Sequence, residues 1–160
     1  MARKVRMLET VGSAIRVHLH MMSADFPRLT ESNHRITSPP TRNYNCIAWS
    51  AVDTDHWWQP RVYWPIEAPP DEFGIGGLTL AFKSLGYQEC EDSTLEAGFE
   101  KVALYGTSLF YTHAARHLPN GKWTSKLGRA EDIEHDTLED VAEGIYSFIV
   151  QFMKRPVQNA

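Results

Sequence analysis

The amino-acid sequence predicts a single α+β domain in which helices near the start of the chain pack on a run of antiparallel strands. The chain has 160 residues, 42% of them hydrophobic, which is enough for one core. Helix-type periodicity is confined to the first half of the domain, and strand-type alternation dominates the second half. Helices followed by strands are typical of α+β domains rather than of alternating α/β domains.

The chain divides into a basic extension over residues 1–24, the α+β domain over 25–156 and a tail over 157–160. Residues 1–42 contain seven Lys or Arg residues against three Asp or Glu residues. The extension has apolar residues every four positions and is compatible with an amphipathic helix. It lacks the apolar core and cleavage site of a signal peptide, which favours a cytoplasmic location, although export by another route would leave the same sequence.

Composition and charge exclude several classes of protein. No apolar run approaches the length of a membrane-spanning helix. Residues 43–160 contain nine Lys or Arg residues against seventeen Asp or Glu residues, which argues against nucleic acid as a partner. Cys46 and Cys90 are too few and too far apart for a zinc ribbon or a disulfide framework, and no cofactor is predicted.

The first half of the domain contains one predicted strand and two predicted helices. Three prolines keep residues 25–41 extended around a short strand at His34–Thr37. Asn43 or Asn45 can cap a helix that carries several apolar residues. Residues 76–85 form a second amphipathic helix, and Gly86 stands at its C′ position.

The second half reads mainly as strands. Strands are predicted at 101–105, 109–117 and 122–127, and the last two are joined by a Pro-Asn-Gly hairpin turn. A short capped helix is expected at 136–141, followed by a closing strand at 146–153.

Cys46 is the candidate nucleophile. It follows Asn45 at a predicted helix start, where unpaired backbone N–H groups and the positive end of the helix dipole stabilise a thiolate. His113 is the candidate general base, because a histidine beside a helix-start cysteine is the two-part device of cysteine hydrolases. Taken singly, each residue is also compatible with a purely structural role in the core.

The residue that would orient His113 depends on the register of the hairpin. A two-residue turn places Thr124 and Lys126 on the face of His113, whereas a longer loop brings Ser125 to that face instead. His135 is favoured as the third catalytic residue, with Asp132 or Ser125 as alternatives.

Several segments carry a resemblance to known families. The segments YNCIAW, WWQP, YWP, FEKVALY, THAARHLPNGKWTSKLG, EDIEHDTLEDV and VQFMKRP resemble a family of small, mostly uncharacterised bacterial proteins with a domain of unknown function, over about residues 26–156. This resemblance implies no activity. The order of a helix-start cysteine, a strand histidine and a hairpin is more distantly similar to the papain-like superfamily in its NlpC-type and CHAP-type forms.

The papain-like resemblance implies a papain-like topology, Cys46 as nucleophile, His113 as base, and an oxyanion hole at the Cys46 backbone N–H. The chain departs from that pattern because the third position holds Thr124, Ser125 or Lys126 instead of a clear His, Asn or Asp. The leading hypothesis is therefore a cysteine hydrolase acting on an amide, thioester or isopeptide bond, as in a peptide or a cell-wall substrate. Its cleft would be lined by Asn45, Trp57, Trp58, Ser125 and Lys126.

Two other hypotheses use the same region of the sequence. The tryptophan-rich segment from Trp57 to Trp64 could serve a non-catalytic binding module with a protein partner. His113 and His117, together with His135 or with the Asp53, Asp55 and His56 cluster, could hold zinc, but histidines four apart on a strand are about 13 Å apart. No metal site is assigned.

Overall fold

The structure, a computed structural model, describes residues 25–67 and 69–158. The strands are β1 (His34–Ser38), β2 (Gln88–Cys90), β3 (Phe99–Gly106), β4 (Tyr111–His117), β5 (Trp123–Lys126), β6 (Asp132–His135) and β7 (Phe148–Pro156). The helices are α1 (Cys46–Ser50), α2 (Ile75–Lys83) and a 3₁₀ turn at Leu138–Val141. The basic extension predicted at 1–24 lies outside the described residues.

All seven strands belong to one antiparallel sheet in the order β1-β6-β5-β4-β3-β7-β2. The β3–β7 pair is long, running from Phe99 opposite Pro156 to Gly106 opposite Phe148. Strand β4 is the middle of the sheet, flanked by β5 and β3, and β1 and β2 are its edges.

The sheet separates two hydrophobic cores. Helices α1 and α2 cover one side, termed the helix face, where Leu78 and Phe82 pack with Leu104 and Ala114. The other side, termed the histidine face, is covered by the segment from Phe26 to Leu29, the 3₁₀ turn and the segment before β7. Its core residues are Phe26, Leu29, Ala103, Tyr105, Ala115, Trp123, Leu127, Ile133, Leu138, Val141, Ala142 and Tyr146.

The fold class predicted from the sequence is wrong. The described residues form a mainly β protein whose α-helix is limited to α1 and α2, rather than an α+β protein of papain-like topology. Helix α1 has only five residues and ends in the turn that reverses at Val52, whose φ is 61°. Two strands that the sequence did not indicate, β2 and β6, also belong to the sheet and increase its share of the fold.

The individual elements were otherwise well predicted. The expected helix at 76–85 is α2, and Gly86 after it has a φ of 93°, which a residue without a Cβ adopts readily. Thr137 and Asp140 form a capping box at the 3₁₀ turn. His117 pairs with Trp123, so the longer of the two hairpin registers occurs and Ser125 shares the face of His113.

Candidate functional site

Asn45 joins the start of α1 to the tryptophan-rich loop. Its side-chain oxygen accepts hydrogen bonds from the backbone N–H of Ala48 at 3.1 Å and of Trp58 at 3.2 Å. Its Nδ2 donates to the Trp58 carbonyl oxygen at 2.8 Å. The predicted helix cap is confirmed, and all of these polar atoms of Asn45 are bonded within the protein rather than free for a ligand.

The Cys46 thiol lies in the core of the helix face. Burial raises its pKa to about 11, and the backbone N–H groups of Ala114, Ile47 and Cys46 itself offset only part of this effect. A helix of five residues supplies a weak dipole, so removal from water outweighs it. The environment therefore favours the thiol over the thiolate that the helix start led us to expect.

His113 lies on the opposite side of the sheet, in the histidine face. Its ring stacks on Tyr146 with a centroid distance of 3.8 Å and meets the Tyr105 ring edge-on at 5.1 Å. The side chain is fully buried, and burial together with nearby His135 lowers its pKa well below the usual value. His113 is therefore a neutral core residue at physiological pH.

Ser125 bridges His113 and His135. Its hydroxyl lies 2.9 Å from Nε2 of His113 and 2.8 Å from Nε2 of His135, whose Nδ1 lies 2.8 Å from the carbonyl oxygen of Thr137. Because a carbonyl oxygen only accepts, His135 Nδ1 carries a proton, and Nε2 of the neutral ring accepts from Ser125. Ser125 then accepts from His113 Nε2–H, which leaves His113 Nδ1 as the acceptor that is buried without a partner.

The sheet separates Cys46 from this histidine network. The thiol is close to the backbone of Ala114, whose side chain belongs to the helix-face core. His113 precedes Ala114, and adjacent residues of a strand point to opposite faces. The structure thus brings together His113, Ser125 and His135, and does not bring Cys46 to His113.

Lys126 and Asp132 lie on the helix face with Cys46. The Lys126 ammonium donates to the carbonyl oxygen of Ala130 and lies 5.3 Å from the centroid of the Tyr44 ring. Asp132 accepts a hydrogen bond from the Tyr44 hydroxyl at 2.5 Å and one from Ser38. Burial lowers the pKa of Lys126, an effect that Asp132, Glu131 and Cys46 oppose.

The two tryptophans predicted to shape a cleft have different surroundings. Trp58 is 3% exposed, donates to the Asp53 carboxylate at 2.7 Å and packs near Phe82. Trp57 is half-buried, and its indole donates to the side chain of Gln59 at 3.2 Å. Trp58 is therefore part of the core, and Trp57 is the more accessible of the two.

The histidines considered as zinc ligands make other contacts within the protein. His56 bonds to Asp53 at 2.8 Å and stacks on Tyr63, and His117 stacks on Trp123 with a centroid distance of 4.1 Å. Across residues 25–67 and 69–158, no three His, Cys, Asp or Glu side chains are arranged to hold a metal ion.

A cleft that the sequence reasoning missed lies at the end of the sheet where β3 begins and β4 ends. It has a volume of about 370 Å³ and is lined by both apolar and charged residues, including Arg116. The sequence signal was the alternation of β4, which puts Arg116 on the same face as the buried Ala114. An arginine on a largely buried strand needs a partner, and that requirement could have marked the position.

A mainly β domain with two separate cores and a solvent-open cleft is the class of protein that these observations define. The chain belongs to the family described as a domain of unknown function (DUF7689), whose model matches residues 35–154. Comparisons with curated proteins and with solved structures found no match. Neither helix among the described residues has the length and apolar content needed to cross a membrane.

Proposed function

We propose that this protein is a non-catalytic binding domain that takes a small ligand in the cleft beside Arg116. The observation that carries the proposal is the position of Cys46 and His113 on opposite faces of one sheet. A thiol nucleophile needs its base within hydrogen-bond reach, and here the sheet lies between the two groups.

The chemistry of the thiol supports the same conclusion. With a pKa raised to about 11, Cys46 is almost entirely protonated at neutral pH, and it is only 9% exposed. A cysteine in such surroundings behaves as a small apolar residue. The cysteine-hydrolase hypothesis would therefore need a rearrangement that moves His113 across the sheet.

The binding surface differs from the one the sequence suggested. Trp58 is in the core, and the hydrogen bonds of Asn45 hold the tryptophan-rich loop in place. The cleft at the end of the sheet is open to solvent and has the volume of a small-molecule site. A small ligand in that cleft is favoured over a protein partner on the tryptophan-rich loop.

Thiol reactivity tests the non-catalytic part of the proposal. The protein is labelled with iodoacetamide across pH, and modification of Cys46 and Cys90 is followed by peptide mass spectrometry. We expect Cys46 to react more slowly than the partly exposed Cys90 at every pH below about 9, because it is buried and protonated.

Two variants serve as controls for the labelling. Cys90→Ala isolates the reaction of Cys46, and Cys46→Ala isolates that of Cys90. Faster labelling of Cys46 than of Cys90 near pH 6 would overturn the proposal and restore Cys46 as a nucleophile.

A further inference from the structure

The cleft beside Arg116 is lined by apolar side chains, which form its apolar wall, and by charged side chains. Apolar side chains come from the loop before β3, from the start of β3, from the β4–β5 hairpin and from the residue after β7. They are Leu95, Phe99, Leu118, Pro119 and Val157. The backbone N–H of Val157 donates to the Gly98 carbonyl oxygen at 2.9 Å, which ties the last of these segments to the first. The wall can therefore take an apolar group of a ligand.

Arg116 supplies a cation whose side chain has no direct ion pair among the described residues. Among the described residues its side chain forms no hydrogen bond and no ion pair, its Nε is buried without a partner, and Glu100 and Asp132 attract its charge only through space. Its guanidinium carbon lies 5.3 Å from the centroid of the Trp49 ring, which holds the side chain against the sheet. A fixed, unpaired guanidinium at a cleft is suited to bidentate binding of a planar anion.

The acidic residues of the cleft do not supply the missing partner. Glu96 is paired with Lys154 at 2.8 Å, and Glu100 is paired with Arg155. Lys154 and Arg155 do not line the cleft, so their charges offset the two carboxylates from outside it. Glu100 attracts Arg116 only through space, so Arg116 is the cation of the cleft that has no direct ion pair among the described residues.

His117 is also occupied. Its ring stacks on Trp123, and its Nε2 lies 3.2 Å from the Gly121 carbonyl oxygen, to which it donates. Burial lowers the pKa of His117, so this side chain adds no second cation at neutral pH. One guanidinium beside an apolar wall therefore defines the recognition.

We propose that this cleft binds a small monocarboxylate with an apolar body, the carboxylate pairing with Arg116 and the body lying against Leu118 and Phe99. This inference rests on the proposed function and names its ligand class. A carboxylate matches the planar fork of arginine, and an apolar body of modest size fits a volume of about 370 Å³.

Isothermal titration calorimetry with matched probes tests the ligand class. Hexanoate and phenylacetate are titrated into the full chain, alongside hexanamide, phenylacetamide, hexylamine and inorganic phosphate. We expect heat of binding for the two carboxylates and none for the amides or the amine, because only the carboxylates present the charge that pairs with Arg116.

Substitutions locate the site. Arg116→Gln should weaken carboxylate binding about tenfold to a hundredfold, the effect expected for one charge-assisted contact, and Arg116→Lys should recover part of it. Ala97→Trp should fill the cleft from an exposed loop position and also weaken binding, without changing Arg116. Arg35→Gln is the matched control, because Arg35 is an exposed arginine outside the cleft whose partner is Glu134.

The outcomes separate this inference from the proposed function. No heat from either carboxylate, binding unchanged in both Arg116→Gln and Ala97→Trp, or phosphate binding as tightly as the carboxylates would overturn the ligand class. None of these results concerns Cys46. Preferential labelling of Cys46 by iodoacetamide would instead overturn the non-catalytic proposal and leave the titration result unaffected.

Discussion

The two faces of the sheet contain the two halves of the predicted catalytic pair, and they treat polar groups differently. On the histidine face, two imidazoles and one hydroxyl form a directed chain of hydrogen bonds inside an apolar core. On the helix face, the Cys46 thiol lies among apolar side chains, and the charged Lys126 and Asp132 stand beside the Tyr44 ring and hydroxyl. Two residues whose backbones are close in a sheet can therefore have side chains on opposite faces and belong to different sites.

The candidate catalytic groups of the two faces also differ in their protonation behaviour. Burial lowers the pKa values of His113 and His135, and it raises those of Cys46 to about 11 and Tyr44 to about 12. In each case burial favours the neutral form. The two histidines therefore make the histidine face sensitive to acid, whereas alkali acts on both faces, because burial also raises the pKa values of Tyr105 and Tyr146.

The largest effect expected from the loss of a single hydroxyl comes from Ser125→Ala. This change removes the hydroxyl between two fully buried imidazoles and leaves both Nε2 atoms without partners, so the free energy of unfolding should fall by about 3 kcal/mol. Urea denaturation followed by tryptophan fluorescence measures the loss.

Ser50→Ala is the matched control on the helix face. Ser50 is equally buried, but it donates a single hydrogen bond, to the Ala114 carbonyl oxygen at 2.7 Å, so the expected loss is about 1 kcal/mol. Equal losses in the two variants would show that the bridge between the histidines adds nothing beyond one hydrogen bond.

The next effect is a loss of stability in acid. His113 and His135 have lowered pKa values in the folded protein, so below an unfolded-state pKa of about 6.5 the unfolded chain binds protons that the folded chain does not. The contribution of the two histidines to stability is complete above that pH. Below it, the free energy of unfolding should decrease with a slope that approaches about 1.4 kcal/mol per pH unit for each histidine. Urea midpoints measured between about pH 7 and about pH 5 report the slope.

A histidine variant assigns this slope to the buried network. His135→Gln should reduce it, because this change removes one of the two buried histidines whose pKa is lowered in the folded protein. An unfolding free energy that stays level on acidification would mean that the histidine network tolerates protonation.

A smaller effect is expected in alkali on the helix face. The pKa of Cys46 is raised from about 9 to about 11, so the unfolded chain releases this proton before the folded chain does. The contribution of Cys46 is complete below about pH 9 and should be lost between about pH 9 and 11, amounting to about 3 kcal/mol. Cys46→Ala should make the stability curve flatter in that range, and the same curve in wild type and variant would contradict the burial of the thiol.

The smallest effect is expected at Trp57. Because Trp57 is only half-buried, Trp57→Ala should change the melting temperature little, whereas Trp58→Ala should cost about 3 to 5 kcal/mol from the helix-face core. Thermal denaturation followed by circular dichroism compares the pair. Similar losses would show that both indoles hold the loop to the core.

Local patterns predicted the elements better than their assembly. Alternation in β4 correctly separated His113 from Ala114 and Arg116, and the helix cap at Asn45 was correct. The segment Asp132–His135 was not recognised as a strand, because four residues with three polar side chains carry no apolar alternation. Its pairing with β5 and β1 supplies the hydrogen bonds that the local pattern does not indicate.

By itself, the sequence determined which residues are helical or extended around α1, α2, β3 and β4, and which side of β4 each residue takes from His113 to His117; Tyr111, before the irregularity in the β3–β4 register, packs on the helix face and not on the face of His113 as predicted. These properties depend on neighbours along the chain, through caps, glycines and period-two alternation. Only the tertiary structure decided which face of the sheet α1 covers, and so whether Cys46 meets His113. The packing of a helix on one side or the other of a sheet depends on contacts between residues far apart in the chain, and no local spacing contains that information.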